Sequence, residues 1–476
     1  MKTKTFGVFP HRWLFLLLLI LPVLFLVVHA GAQTFTVLHH CDQQTGFFPN
    51  GNLIQGPDGT LYGTATQTRL TTGGSGPGTV FKVNPDGTGF AVLHEFAFDY
   101  ERGIAPDGSA PEAIMVLDGR TLYGTTSSGG SNYSGTVFKL DVDTTNFSVL
   151  WWLTSSVGQN PQGDMVLDNG TLWAPAAYGG NPGSQGTIFK MSTNGSNFST
   201  IHYFYGPDGR QPMALIKSGN LLYGTTINCS PDGIHWVGNV FRMETNGSGE
   251  IEYIFGTLDG QHPNDGLVLA GTNLFGVTTQ GGSNNCGTIY RISTNIDGFV
   301  ALHHFTPSEG RPAGKIALRD ENIYGVTQNG GMWEVGLIYR FNLNSRQFTV
   351  LKHFQGGETD GDNPTGLMLY GNTLYGATMM GGTNASGFEP VGADWGAGII
   401  YSLSLAPAVM NARGSGTNVE FLFSSFTNTS YAVEYKDDLN KTNWQVLENK
   451  VGSGSLVGCC YPMTNATQRF FRVRTQ

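Results

Sequence analysis

Seven of the eleven histidines in this sequence stand in one recurring setting: His39, His40, His94, His202, His303, His304 and His353 lie in or just after short β-branched runs such as Phe90-Ala91-Val92-Leu93-His94. Imidazoles are metal-ligand material, and zinc asks for three or four ligands that converge on one point. Copies of one outer strand in successive repeats splay apart. No convergence is therefore expected beyond the neighbours His39 and His40, and the sequence predicts no metal and no cofactor. Acids recur too. Asp107-Gly108, Asp208-Gly209, Asp259-Gly260, Glu309-Gly310 and Asp360-Gly361 each come shortly before a proline. Calcium needs several oxygens from one loop, and the acids of Asp141-Val142-Asp143 are not kept in its copies, so the Asp-Gly pairs read as turn chemistry. No G-x-S-x-G, H-E-x-x-H or P-loop occurs, and no catalytic residue is assigned. Glu334, Glu389 and Asp394 are loop carboxylates of the kind a glycosidase pairs, a weak signal in a chain this long.

Five aromatics carry the binding chemistry: Tyr133, Tyr178, Trp236, Trp333 and Trp395 fall in the longest, most variable loops of the chain. Tyr and Trp there stack on sugar rings or anchor a protein partner, giving large contact area with few rotamers. The competing reading is that they lid the repeats and pack on neighbouring loops.

The elements that would position them come from a repeat of about 50 residues. An aliphatic-aromatic-Gly run appears at Leu61-Tyr62-Gly63, Leu122-Tyr123-Gly124, Leu222-Tyr223-Gly224, Leu274-Phe275-Gly276, Ile323-Tyr324-Gly325 and Leu374-Tyr375-Gly376, with a degenerate copy at Leu172-Trp173-Ala174. A Gly-rich loop follows, then a run such as Gly135-Thr136-Val137-Phe138-Lys139, a short Asn/Asp/Gly turn, and an alternating run. Another short run precedes each aromatic-Gly and is usually introduced by proline, as at Pro111, Pro161, Pro212, Pro263, Pro312 and Pro364. Each repeat thus predicts four strands, a to d from the proline onward, in the manner of a propeller blade. The b–c and d–a loops share one face, and variable loops on a rigid frame are where binding resides.

The seventh repeat lacks strand d, ending at Tyr401-Ser402-Leu403, while Phe35-Thr36-Val37-Leu38-His39-His40 supplies such a strand near the start. This permuted end predicts a seven-bladed β-propeller whose last blade is closed by the N-terminal strand. An open solenoid would call for polar capping repeats instead. The expected organisation is a signal peptide over residues 1–32, the propeller over 33–404 and a small β-sandwich over 405–476.

Lys2, Lys4 and Arg12 precede an apolar stretch from Trp13 to Val28 and an Ala30-Gly31-Ala32 cleavage pattern. Export is expected, with no membrane span after cleavage. The net charge of −9 and the absence of a basic stretch argue against nucleic acid as a partner. Five widely spaced cysteines make neither a disulfide framework nor a zinc site. Adjacent Cys459-Cys460 is open to a vicinal bond or to the reduced state. Gly at 68 residues and charged residues at 13% suit many short strands and tight turns.

The repeats resemble the GloVer tandem repeat of secreted bacterial proteins. The residues that carry the likeness are Leu122-Tyr123-Gly124-Thr125-Thr126, Gly129-Gly130, Gly135-Thr136-Val137-Phe138-Lys139 and Phe147-Ser148-Val149-Leu150. Their layout is also similar to kelch blades. The resemblance spans about residues 35–404 and implies an exported propeller-like repeat protein, with no activity attached. Tyr431-Ala432-Val433-Glu434-Tyr435, Trp444-Gln445-Val446 and Arg469-Phe470-Phe471-Arg472-Val473 resemble a fibronectin-III-like sandwich. The expected function is a monomeric extracellular scaffold that binds a glycan or a protein. The alternatives are a carbohydrate-active hydrolase or lyase with its site at the channel mouth, and a structural surface component.

Overall fold

The computed structural model describes residues 34–475 except 44, 51, 71–74, 182, 230–235, 264–265, 384–395, 406–408, 416–417, 425–429, 438–442, 453–455 and 463–468. The expected signal peptide lies outside the described residues. The described residues are all-β, apart from short helical turns at Gly206–Asp208 and Gly357–Asp360.

One compact unit comprises residues 35–370 and 374–403. Each repeat in it builds an antiparallel sheet with a path of four strands, and seven such sheets occur among the described residues. The second repeat is representative. Strand a is Val116–Asp118, b Thr121–Thr126, c Thr136–Asp141 and d Phe147–Trp152. Consecutive strands are neighbours, the meander from which β-propellers are built. In the seventh sheet the place beside strand c, Ile399–Ser404, is taken by Phe35–His40, with Phe35 opposite Leu403 and His40 opposite Ile399.

Cross-strand sterics explain the aromatic-Gly motif. Gly124 sits opposite Phe138 of strand c, and a β-carbon there would stand 2.4 Å from the Phe138 ring. The ring lies over the bare backbone, so both residues recur together; the third repeat admits the small Ala174 opposite Phe189.

A second glycine explains the prolines. Gly135, with φ +93°, opens strand c, and a β-carbon on it would strike Thr126 O and Pro161 of the following repeat. The same contact joins Gly78 to Pro111, Gly186 to Pro212, Gly238 to Pro263, Gly287 to Pro312, Gly336 to Pro364 and Gly398 to Pro49, at 2.5–3.2 Å from the notional β-carbon. A backbone hydrogen bond runs alongside it. The residue before the proline donates to the carbonyl before the glycine of the preceding repeat, as in Ala110 to Pro77 (2.7 Å), Gln211 to Gln185 (2.9 Å) and Phe48 to Ala397 (3.0 Å).

Strand b aromatics form the core between sheets. Tyr62 packs with Leu122 and Phe138 of the second repeat, Trp173 with Phe241 of the fourth, and Tyr375 of the seventh with Leu61 and Phe81 of the first. Burying such side chains is worth roughly 1.5–3 kcal/mol each.

Strand d joins the sheets at their outer edge. His39 stacks on Phe90 and His94 on Phe147, each with centroids 3.6 Å apart, and Trp151 stacks on Phe198 at 4.5 Å. Tyr253 stacks on Phe299, His303 on Phe348, and Lys352 lies 4.8 Å over the ring of Phe35. His39, His94 and His303 are thus packing residues at three of the junctions.

The second unit gathers residues from 404 onward with 371–373 and Thr34. It contains two three-stranded sheets, Val409–Ser415 with Asn418–Ser424 and Leu456–Pro462, and Gln445–Val451 with Ser430–Lys436 and Phe470–Thr475. Phe421, Phe423, Tyr431, Val433, Cys459 and Val473 share one core between them. Cys459 and Cys460 are both free thiols, as are Cys41, Cys229 and Cys286.

Candidate functional site

The long loops rest on the d–a loops: Ser109 bridges Ser128, and Gln159 bridges Tyr178. Their aromatics project outward. Tyr133 is 65% exposed, Tyr178 43%, Trp236 39% and Trp333 46%, so none of the four is buried as a lid. Trp395, with Glu389 and Asp394, lies outside the described residues.

Tyr178 and Trp236 share one pocket of about 300 Å³ at the junction of the third and fourth repeats. Ser184, Gln185, Arg210, Gln211 and Asn228 are polar residues of its described lining. The loop backbone positions them. Gln211 takes a left-handed φ of 56° just before Pro212, and its backbone N–H bonds Gln185 O across the junction. Its side-chain amide then donates to the Tyr178 hydroxyl. Arg210 lays its guanidinium 4.3 Å over the Trp236 ring. Two polar atoms of this lining are buried without a protein hydrogen bond, the donor Arg210 Nε and the acceptor Gln185 Oε1. An unmet donor and acceptor in a half-open pocket cost stability unless something fills them. No carboxylate is among the described lining residues.

Tyr133 belongs to a separate pocket of about 260 Å³ with Phe98, Ile104 and Ser109. Trp333 lines neither of them. A third cavity, of about 450 Å³, draws residues from repeats one, two, six and seven, including Phe48, Asn50, Gln67, Gln328 and Met380. Glu112 is the one carboxylate in its described lining, and burial holds it above the usual carboxylate range. A paired-carboxylate mechanism would need a second.

The recurrent Asp/Glu-Gly acids do serve as loop anchors, with a partner that sequence reasoning missed. Asp107 accepts from Ala97 N and lies 3.0 Å from His94 Nε2. Asp259 accepts from Gly256 N and the Tyr253 hydroxyl, and Glu309 from Thr306 N while facing His303 at 3.1 Å. Asp360 accepts from Gln355 N and pairs with Lys352.

The third repeat departs from this scheme. His202 Nε2 lies 3.4 Å from Asp208 Oδ2 and 3.2 Å from Glu250 Oε2. Three ligand-type atoms therefore meet, contrary to the expectation that strand d histidines find no converging ligands. That expectation considered histidines of separate repeats; here the other ligands are a d–a loop acid and the first residue of the neighbouring strand d run. Burial pushes the Glu250 carboxyl up to about 7, against the pull of His202 and with the push of Asp208 and Glu252.

The model of the Gloeobacter/Verrucomicrobia repeat matches the sequence twice, over residues 23–233 and 215–388. The chain belongs to this repeat family. Among curated proteins none matches it in sequence. Among solved structures, this Gloeobacter/Verrucomicrobia repeat protein is similar to an oligogalacturonate lyase from Vibrio parahaemolyticus, at 11% identity and TM-score 0.48, covering 78% of this chain and 97% of that one. A putative 6-phosphogluconolactonase from Bacteroides uniformis matches at 13% identity and TM-score 0.44, covering 84% and 99%. The computationally designed Ika8 protein matches at 12% and 0.41, covering 75% and 97%. At these values the likenesses carry nothing about activity.

Proposed function

We propose that this repeat protein is an exported glycan-binding scaffold. Its array is a seven-bladed β-propeller of kelch-like layout, the N-terminal strand completes the last blade, and a fibronectin-III-like module follows. Support for the ring comes from the junctions. The Gly–Pro contacts and the strand b core pass from one repeat to the next, as do the strand d stacks at all junctions but the third-to-fourth, and each also joins the seventh repeat to the first through Gly398–Pro49, Tyr375–Phe81 and His39–Phe90. Support for export is the basic and apolar leader.

The observation that carries the binding reading is the Tyr178–Trp236 pocket, with its unmet Arg210 donor and Gln185 acceptor. Two exposed rings beside hydrogen-bonding groups match a sugar, whose faces are apolar and whose rim is hydroxyl. The test is retention of the full chain on a panel of soluble and insoluble polysaccharides, with product release assayed in the same tubes. Retention without products is expected. Trp236→Ala or Tyr178→Ala is expected to weaken it about tenfold to a hundredfold, the effect of losing one aromatic anchor, with the melting temperature unchanged. Retention that both variants leave intact would remove the pocket from the account. Released oligosaccharides would put the enzyme reading first.

A further inference from the structure

The position that opens strand d, or directly precedes it, holds phenylalanine in six repeats: Phe35, Phe90, Phe147, Phe198, Phe299 and Phe348. Each receives the stack or the cation of the preceding repeat. In the fourth repeat the position holds Glu250. A carboxylate in a slot built for a ring loses stacking and solvation together, so its presence calls for a partner.

The protein partners are insufficient. His94 and His303 make hydrogen bonds to their loop acids. His202 Nε2 lies close to two carboxylates without hydrogen-bond geometry to either, and Glu250 Oε1 is buried with no hydrogen bond at all. Among the described residues no Lys or Arg pairs with Asp208 or Glu250, while Glu252 adds a third acid and is held by Asn239 at 2.6 Å. Asp208 Oδ1 accepts from Tyr205 N at 2.7 Å, which fixes the carboxylate and leaves Oδ2 turned to His202.

We propose that His202 Nε2, Asp208 Oδ2 and Glu250 Oε2 bind a divalent transition-metal ion of the zinc class at the junction of the third and fourth repeats. One ligand-type atom from each of the three residues lies within 4.8 Å of the other two. Two of the separations, 3.4 and 3.2 Å, match the edge of about 3.3 Å in a tetrahedron with bonds of ~2.0 Å. One imidazole with two carboxylates suits zinc or manganese, whereas calcium and magnesium take oxygen alone. Three protein ligands leave a fourth position for water or a ligand group, and the side chains are 14–19% exposed, enough for access. The ion would neutralise both carboxylates and staple the two sheets where the ring stack is missing.

The test uses the full chain, stripped with EDTA and titrated with Zn²⁺ alone, read by calorimetry and by metal content after gel filtration. One equivalent is expected, with a rise of several degrees in melting temperature at saturation. Glu250→Phe recreates the pairing found at the other junctions, so it is expected to fold and to lose the site by at least a hundredfold in affinity. His202→Phe should behave likewise. The proposal falls if the wild-type chain takes up no Zn²⁺, if folded Glu250→Phe still binds one equivalent with unchanged affinity, or if Ca²⁺ binds more tightly than Zn²⁺.

Discussion

Two kinds of junction hold the array together. Six set an imidazole, an indole, a phenol or a lysine of one strand d over a phenylalanine of the next, while the third-to-fourth junction sets His202 between two carboxylates. The backbone is common to both. Gly186 still meets Pro212, Gln211 N still bonds Gln185 O, and Trp173 still packs on Phe241. At the third-to-fourth junction the Gly–Pro contact and the strand b core are kept while the ring stack is absent. That junction carries a polar cluster instead, and the Tyr178–Trp236 pocket draws on the same pair of repeats.

The comparison breaks most severely if the N-terminal strand is removed. Deleting residues 35–40 takes away the partner of Ile399–Ser404, the ring under Lys352 and the His39–Phe90 stack. A drop in melting temperature of roughly 10 °C or more is expected in differential scanning calorimetry. An unchanged curve would show that this junction contributes little. Next in size, Phe147→Ala should cost about 2–3 kcal/mol in urea denaturation, because the ring serves His94, Phe96 and Phe138 at once. Glu250→Ala should be close to neutral, and equal losses from the two variants would erase the distinction between junction types. Smaller still, Glu250→Phe without metal should gain about 1 kcal/mol by restoring a stack.

The smallest effect is a pH slope. Burial holds His39 down to about 4, from an ordinary value of 6.5, and its Nε2 has no hydrogen-bond partner. The unfolded chain takes up this proton near pH 6.5 and the native one only near 4. The stabilisation is thus complete above 6.5, declines as pH falls, and levels off below 4. Melting temperature against pH should show this decline, and His39→Phe should flatten it. An identical slope in that variant would assign the decline to other groups.

Much of this was legible in the sequence because it depends on local periodicity. The aromatic-Gly and Gly-Thr-Val-Phe motifs are opposite sides of one cross-strand contact, so they recur at fixed spacing. The pairing of Phe35–His40 with Ile399–Ser404 follows from the missing strand d of the last repeat. The loop acids hid their role because their separation from the strand d partner varies: His94 to Asp107 spans 13 residues, Lys352 to Asp360 eight, and His303 to Glu309 six. Glu250 hid for another reason: one acid in an alternating run looks like any solvent-facing strand residue. Tyr178 and Trp236 were legible as loop aromatics. Arg210, Gln185 and Gln211 were not, since the pocket is assembled from two repeats and loop register leaves no periodic trace.

The pairing of Phe35 with Leu403 also sets an order of events in time. The two residues are 403 − 35 = 368 positions apart. Phe35–His40 is made long before Ile399–Ser404, the strand it pairs with, and contacts of such separation form slowly. Until Ile399–Ser404 is made, Phe35–His40 lacks the partner it has in the finished sheet. Completion of the seventh repeat, not of any earlier one, is therefore what covers this strand edge against aggregation.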